Sequence, residues 1–248
     1  MIKKVVKNEK ELGEFVADII GKDIKEKNKN GEKYYLGLAT GSSPIPVYNE
    51  LVKRYEDGKI DFFNVGTYNL DEYVGLNEDD EQSYHKFMQD YLFDYINVRK
   101  DEINILDGMA EDLEKECQNY DKKINETGID LQILGIGENG HIAFNEPEEN
   151  LNLNTHVASL KESTINANSR FFESIEEVPT KALSVGIGTI FKAKKIILIA
   201  TGKKKGQAVK YLLNKSKIST SNPSSLLLLH SDLTIVLDEE CYNEAYKK

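Results

Sequence analysis

The stretch LQILGIGENGHIAFNEP, residues 131–147, runs from a short, mostly apolar segment into a loop with three glycines, Gly135, Gly137 and Gly140. Two titratable side chains, His141 and Glu146, follow on that loop. An apolar run of this length bounded by glycine reads as a buried strand. Glycine reaches backbone angles closed to other residues and lets other groups come close. A strand feeding a histidine and a glutamate onto so pliant a backbone predicts a ligand-binding turn at its carboxyl end.

Working outward, the same strand–loop–helix unit recurs. YYLGLAT precedes SSPIPVYNELVKRYEDG, where a serine cap followed by proline marks a helix start. VGTYNL precedes SYHKFMQDYLFDYI, and INIL precedes MAEDLEKECQNYDKKINETG. Later come KALSVGI, then KKIILIAT with KKKGQAVKYLLN, and LTIVLDEE with CYNEAYKK. Ahead of them, Leu12, Phe15, Val16, Ile19 and Ile20 recur at helical spacing between Glu9 and about Lys27. Strands alternating with helices predict an α/β fold, a Rossmann-like and mostly parallel sheet with helices on both faces. No linker, heptad or short repeat interrupts the pattern, so residues 1–248 are expected to form a single domain. Ligands of such sheets bind beyond the carboxyl ends of the strands.

Composition narrows the partners. With 40% apolar and 30% charged residues, the chain can bury a sizeable core as a globular protein. A net charge of −10 argues against nucleic acid, which needs a dense cationic surface. No stretch approaches the roughly eighteen apolar residues of a membrane span, and the N-terminus lacks a signal-peptide pattern, so a cytoplasmic location is expected. The two cysteines form neither a CxxC nor a disulfide framework. Four histidines without HxH or HExxH spacing give no reason to expect a metal.

Four places carry candidate chemistry. Thr40-Gly41-Ser42-Ser43, between a strand and a helix start, offers backbone N–H groups, hydroxyls and a positive helix end to an anion. It lacks the lysine of a nucleotide-binding loop, and the same residues would also serve as a plain helix cap. Asp71 and Glu72, just past VGTYN, could supply a general base or merely an acidic turn. His141 with Glu146 has the makings of a proton shuttle, or of a histidine that holds loop carbonyls. Arg170 and Lys205 are cations, the latter beyond a strand's carboxyl end. One charge pair at about 4 Å contributes roughly 4 kcal/mol at an effective dielectric near 20, so local cations outweigh distant acids screened within about 8 Å.

Taken in order, LGLATGSSP, YNLDEYVGL, SYHKFM, LGIGENGHIAFNEP, ANSRFF and TGKKKGQA resemble the glucosamine-6-phosphate deaminases across nearly the whole chain. The resemblance implies a small sugar-phosphate substrate, no metal and no cofactor, and conversion of glucosamine 6-phosphate and water into fructose 6-phosphate and ammonia, in N-acetylglucosamine catabolism. It assigns Asp71 to proton transfer between C2 and C1, His141 with Glu146 to ring opening, and Ser42, Ser43, Arg170 and Lys205 to the phosphate.

Two departures matter. Asn139 stands where many members of that family carry aspartate, and an amide is expected to orient the imidazole without charging it, with Glu138 restoring some negative charge. Where allosteric members carry basic residues this chain has His156 and Ala158, so no activation by N-acetylglucosamine 6-phosphate is expected. A galactosamine 6-phosphate substrate, a 6-phosphogluconolactonase and a non-catalytic sugar-phosphate sensor are the competing readings. Monomers and larger assemblies both occur in the family, so either state fits.

Overall fold

Near-continuous burial along the central strands decides how the sheet is covered. In the computed structural model, which describes residues 1–214 and 217–247, the first half of the chain forms β1 (Ile2–Val6), α1 (Glu9–Lys29), β2 (Tyr34–Leu38), α2 (Ile45–Glu56), β3 (Val65–Asn69), β4 (Asp71–Tyr73), α3 (Tyr84–Tyr91), β5 (Ile103–Asn104) and α4 (Leu113–Thr127). The second half forms β6 (Leu131–Leu134), β7 (His156–Ser159), α5 (Glu162–Asn168), β8 (Lys181–Ser184), α6 (Ile187–Ile190), β9 (Lys195–Ala200), α7 (Gly206–Asn214), β10 (Leu233–Asp238) and α8 (Glu239–Ala245). Among the described residues, seven strands make one parallel sheet in the order β1-β10-β9-β6-β2-β3-β5.

Successive residues of a strand point to opposite faces. On β9, Ile197 and Ile199 pack with α1 and α2, whereas Ile196, Leu198 and Ala200 join α4, α7 and α8. Both faces are therefore covered, as the repeating pattern predicts. Helix α1 shows why one layer holds: Asn8 accepts the Glu11 N–H at 3.0 Å, and Leu12, Val16, Ile20 and Ile24 form a buried stripe at four-residue spacing. Burying each such side chain contributes about 1.5–3 kcal/mol.

Strands β1 and β7 were not part of the sequence reading, and three further features depart from it. Residues 71–73 are not a loop but a short strand, and β8 does not join the parallel sheet. Instead β4, β8 and β7 form a small antiparallel sheet, with Asp71 and His156 both opposite Ser184. The serine cap is absent: Pro44 holds the cap position of α2 without a side-chain hydrogen bond. The segment expected to run helical from Ser83 to Ile96 stops at Tyr91, because Leu92 leaves the helical region at φ −145°.

The strand order reverses between β2 and β6. From β2 the chain steps outward to β3, and from β6 it steps the other way to β9. The loops leaving these two strands diverge and open a crevice, the topological switch point where open α/β sheets bind ligands.

Candidate active site

Both diverging loops line one cavity of about 760 Å³. Thr40, Gly41, Ser42 and Ser43 come from the loop after β2, and Asn139 and His141 from the loop after β6. Asp71, Arg170 and Lys205 reach the same cavity, while Glu146 stands behind it, buried against His141. A smaller depression between α1 and α2, about 350 Å³, contains Arg54, whose guanidinium is already committed to Asp18, Glu50 and the Glu14 carbonyl.

The adjacent acids part company. Strand alternation turns Asp71 into the cavity and Glu72 away from it. Glu72, fully buried, accepts the backbone N–H groups of Tyr73 at 2.7 Å and of Tyr84 and His85 at 3.0 Å each. The His85 ring lies 2.8 Å from its Oε2. Glu72 therefore pins the start of α3 to β4, and its charge is met by a helix N-terminus. Among the described residues, the Asp71 carboxylate has only the Thr40 hydroxyl, 3.5 Å from its Oδ1. Burial, and secondarily the charge of Glu72, push the Asp71 carboxyl up to about 8, with Thr40 opposing. Such a carboxylate is a strong base whose protonation changes near neutrality.

His141 and Glu146 are brought together by backbone geometry. A Cβ at position 137 would lie 2.3 Å from the His141 ring, so only glycine there lets the imidazole pack against its own loop. Ala143 adopts φ 50°, a left-handed conformation costing about 1 kcal/mol or more for a residue with a side chain. It is held in place by neighbours: Phe144 N–H donates to Ser184 Oγ at 3.0 Å, and Asn145 donates to the Val185 carbonyl at 2.9 Å. The His141 Nδ1 then faces Glu146 Oε1 at 3.4 Å, ion-pair distance but poorly aligned for a hydrogen bond. Burial would raise the Glu146 carboxyl, yet the adjacent imidazole and hydrogen bonds from Thr164 and Asn139 outweigh it and hold it at about 2.

Asn139 acts differently from the sequence expectation. Its Nδ2 donates to Glu146 Oε2 at 2.7 Å and its Oδ1 accepts the backbone N–H of His141 at 3.1 Å, so it grips the acid and the loop rather than the ring. Glu138 is exposed, and its charge acts on Lys205. In the same cavity burial lowers the Lys205 pKa, Glu138 opposes this, and Arg170 adds to it. Two cations of this kind beside the Ser42-Ser43 hydroxyls favour an anion.

Several contacts were missed from sequence. Thr164 Oγ1 donates to Glu146 Oε1, and Asn168 Nδ2 donates to the Tyr73 hydroxyl at 2.8 Å. Thr164 and Asn168 stand four residues apart on α5, a spacing that places both on one helix face and could have flagged them. Among the described residues, no group of three or more His, Cys, Asp or Glu is placed to hold a metal ion.

These features define a doubly wound α/β protein with a ligand crevice at its switch point, lined by two cations, an acid and an imidazole. Residues 7–236 match the family described as glucosamine-6-phosphate isomerases/6-phosphogluconolactonase, and the chain belongs to it. A glucosamine-6-phosphate deaminase of Thermoanaerobacter sp. strain X514 is 52% identical over 94% of this chain and 90% of its own length. That of Clostridium beijerinckii is 50% identical over 96% and 97%. A solved structure described as a monomeric glucosamine-6-phosphate deaminase superposes with a TM-score of 0.93 at 42% identity, covering 98% of this chain and all of the other. The 6-phosphogluconolactonase of Thermotoga maritima, with a TM-score of 0.74 at 18% identity over 96% and 98%, shares the fold.

Proposed function

We propose that this chain converts glucosamine 6-phosphate and water into fructose 6-phosphate and ammonia. The observation that carries the reading is that Asp71, His141, Arg170 and Lys205 all line one substrate-sized crevice. In the roles we assign, the phosphate sits against Ser42, Ser43, the backbone of Thr40 and Gly41, and the two cations. That remote grip fixes C1 and C2 before any bond changes. His141, backed by Glu146, takes the anomeric proton and returns one to the ring oxygen, giving the open-chain aldehyde. Asp71 removes the C2 proton to form an enolamine and delivers it to C1. The resulting ketimine loses ammonia to water. Lactone hydrolysis would leave Asp71 with no C–H bond to break.

The proposal extends to setting and control. Both cysteines, Cys117 and Cys241, are free and buried, in keeping with a reducing cytoplasm. We place the chain in cytoplasmic amino-sugar catabolism as a single catalytic domain, monomeric like its near structural relative. His156 is half-buried, and burial lowers its pKa, so position 156 supplies no permanent cation to an acidic effector. Saturation is expected to be hyperbolic and unaffected by N-acetylglucosamine 6-phosphate.

The test is release of ammonia and fructose 6-phosphate from purified protein with glucosamine 6-phosphate, run beside glucosamine, galactosamine 6-phosphate and 6-phosphogluconolactone. Turnover of the lactone alone would overturn the reading, and faster turnover of the galacto epimer would change the substrate.

A further inference from the structure

The segment that carries Arg170 is fastened at three points at or near the residues assigned to the chemistry. Lys161 Nζ donates to the Pro147 carbonyl, directly after Glu146. Thr164 Oγ1 donates to Glu146 Oε1, the same oxygen that faces His141 Nδ1 at 3.4 Å. Asn168 donates to the hydroxyl of Tyr73, two residues from Asp71, and the Phe172 ring meets the Tyr73 ring edge-on at 5.9 Å. Between the first of these and Arg170 the chain is helical, α5 passing directly into a 3-10 turn over Ser169–Phe171. Helical rise over six residues puts Thr164 about 9 Å from Arg170 along a stiff lever.

One continuous helical segment thus carries both the cavity-lining Arg170 and the Thr164 that contacts Glu146. Arg170 is exposed and lines the cavity, whereas Thr164 is buried against the carboxylate. The other carboxylate oxygen, Oε2, is fixed by Asn139, so rotation of Thr164 acts on Oε1 alone. Sharing Oε1 between a hydroxyl and an imidazole sets how much of its negative charge the imidazole feels.

We infer that Thr164 is a positioning residue that couples anion binding at Arg170 to the orientation of Glu146 and, through it, to the state of His141. This rests on the function proposed above. The site would thus read the substrate's phosphate before ring opening, and a bare aminosugar would meet a poorly set imidazole. The segment converts phosphate occupancy into alignment of the ring-opening pair, in addition to supplying a cation.

The test uses inorganic phosphate as the probe and the His141 Cε1–H resonance as the readout, assigned with His141→Gln among the chain's four histidines. In the wild type, phosphate saturation should displace that resonance. Thr164→Val should bind phosphate within about threefold of wild type yet show less than a third of the displacement, and Thr164→Ser should restore it. A through-space effect of the phosphate charge would persist unchanged in Thr164→Val. Equal displacement in the two proteins, or none in the wild type with phosphate bound, overturns the inference. Should Thr164→Val fail to fold, Thr164→Ala carries the same expectation. In turnover, Thr164→Val should lower kcat for glucosamine 6-phosphate at least tenfold with KM changed less than threefold. Wild-type protein that responds to phosphate but never releases ammonia would instead sink the proposed function and leave the coupling standing.

Discussion

Replacing Asp71 with asparagine is expected to abolish the reaction and stabilise the protein, with a pH dependence that identifies the cause. The carboxyl is buried and its pKa stands at about 8, against 3.8 for an unperturbed side chain. Since the folded value is the higher, the native state binds the proton more tightly than the unfolded chain. The resulting stability is fully present below 3.8 and is lost as pH rises to about 8. Each unit is worth about 1.4 kcal/mol, which sets an upper bound of about 5–6 kcal/mol across the interval. Water penetration and relaxation reduce this, and about half, roughly 2–3 kcal/mol, is a reasonable expectation. Asparagine never ionises and avoids that loss. In a domain of this size 1 kcal/mol moves Tm by about 2–4 °C, so Asp71→Asn should melt roughly 5–10 °C above wild type at pH 8. The gap should narrow steadily towards pH 5, while deamination falls by about 10² to 10⁴ at constant sugar-phosphate affinity. Thermal denaturation of both proteins at half-unit steps from pH 5 to 8.5 measures the gap. A difference that stays flat with pH would show that Asp71 is not the buried, proton-holding group described here.

The remaining expectations can be checked with ordinary kinetics and denaturation. Because the carboxylate form of Asp71 is the reactive one, kcat/KM should climb with pH on its acid limb towards about 8, and a plateau already reached by pH 6 would contradict the environment described for it. Arg170→Ala removes charge-assisted bonds worth about 1.5–3 kcal/mol, so kcat/KM for glucosamine 6-phosphate should drop roughly 10- to 100-fold. Asn139→Asp replaces a donor 2.7 Å from Glu146 with a second carboxylate, which should cost about 1–3 kcal/mol in urea denaturation at pH 7. That loss should shrink below about pH 5 as the pair takes up a proton.

Legibility from sequence followed the length and regularity of each element. Helix α1 was read almost to its ends because its apolar residues recur at helical spacing along most of its length. Strand β9 carries five consecutive apolar residues after Lys195, and β10 is apolar at four of its six positions, so both could hardly be anything else. Strand β4 is three residues of acid, acid and tyrosine, too short for any period, and only its pairing with β8 makes it a strand. Strand β1 was passed over because two of its five residues are exposed lysines at the sheet's edge. The motif residues at both loops were legible, since glycine, serine and histidine have few reasons to cluster there. Asn139 was recognised, but the direction of its hydrogen bonds depends on where Glu146 folds back. Spacing on α5 could flag Thr164, but its pairing with Glu146 and that of Glu72 with His85 could not be read, because the partners lie 18 and 13 residues apart.

The unequal fates of residues 71 and 72 bear on how such enzymes tolerate change. A pleated backbone sorts two chemically similar neighbours into a reactive one, deprived of donors, and an inert one saturated with them. Exchanging their identities would leave composition and formal charge untouched. It would still put a carboxylate one methylene too long beside the sugar, and one too short to reach the amides at the start of the following helix. Interchangeability on paper is therefore no guide to interchangeability in the pleat, and a double swap at these positions should be harder to survive than the loss of many larger side chains nearer the surface.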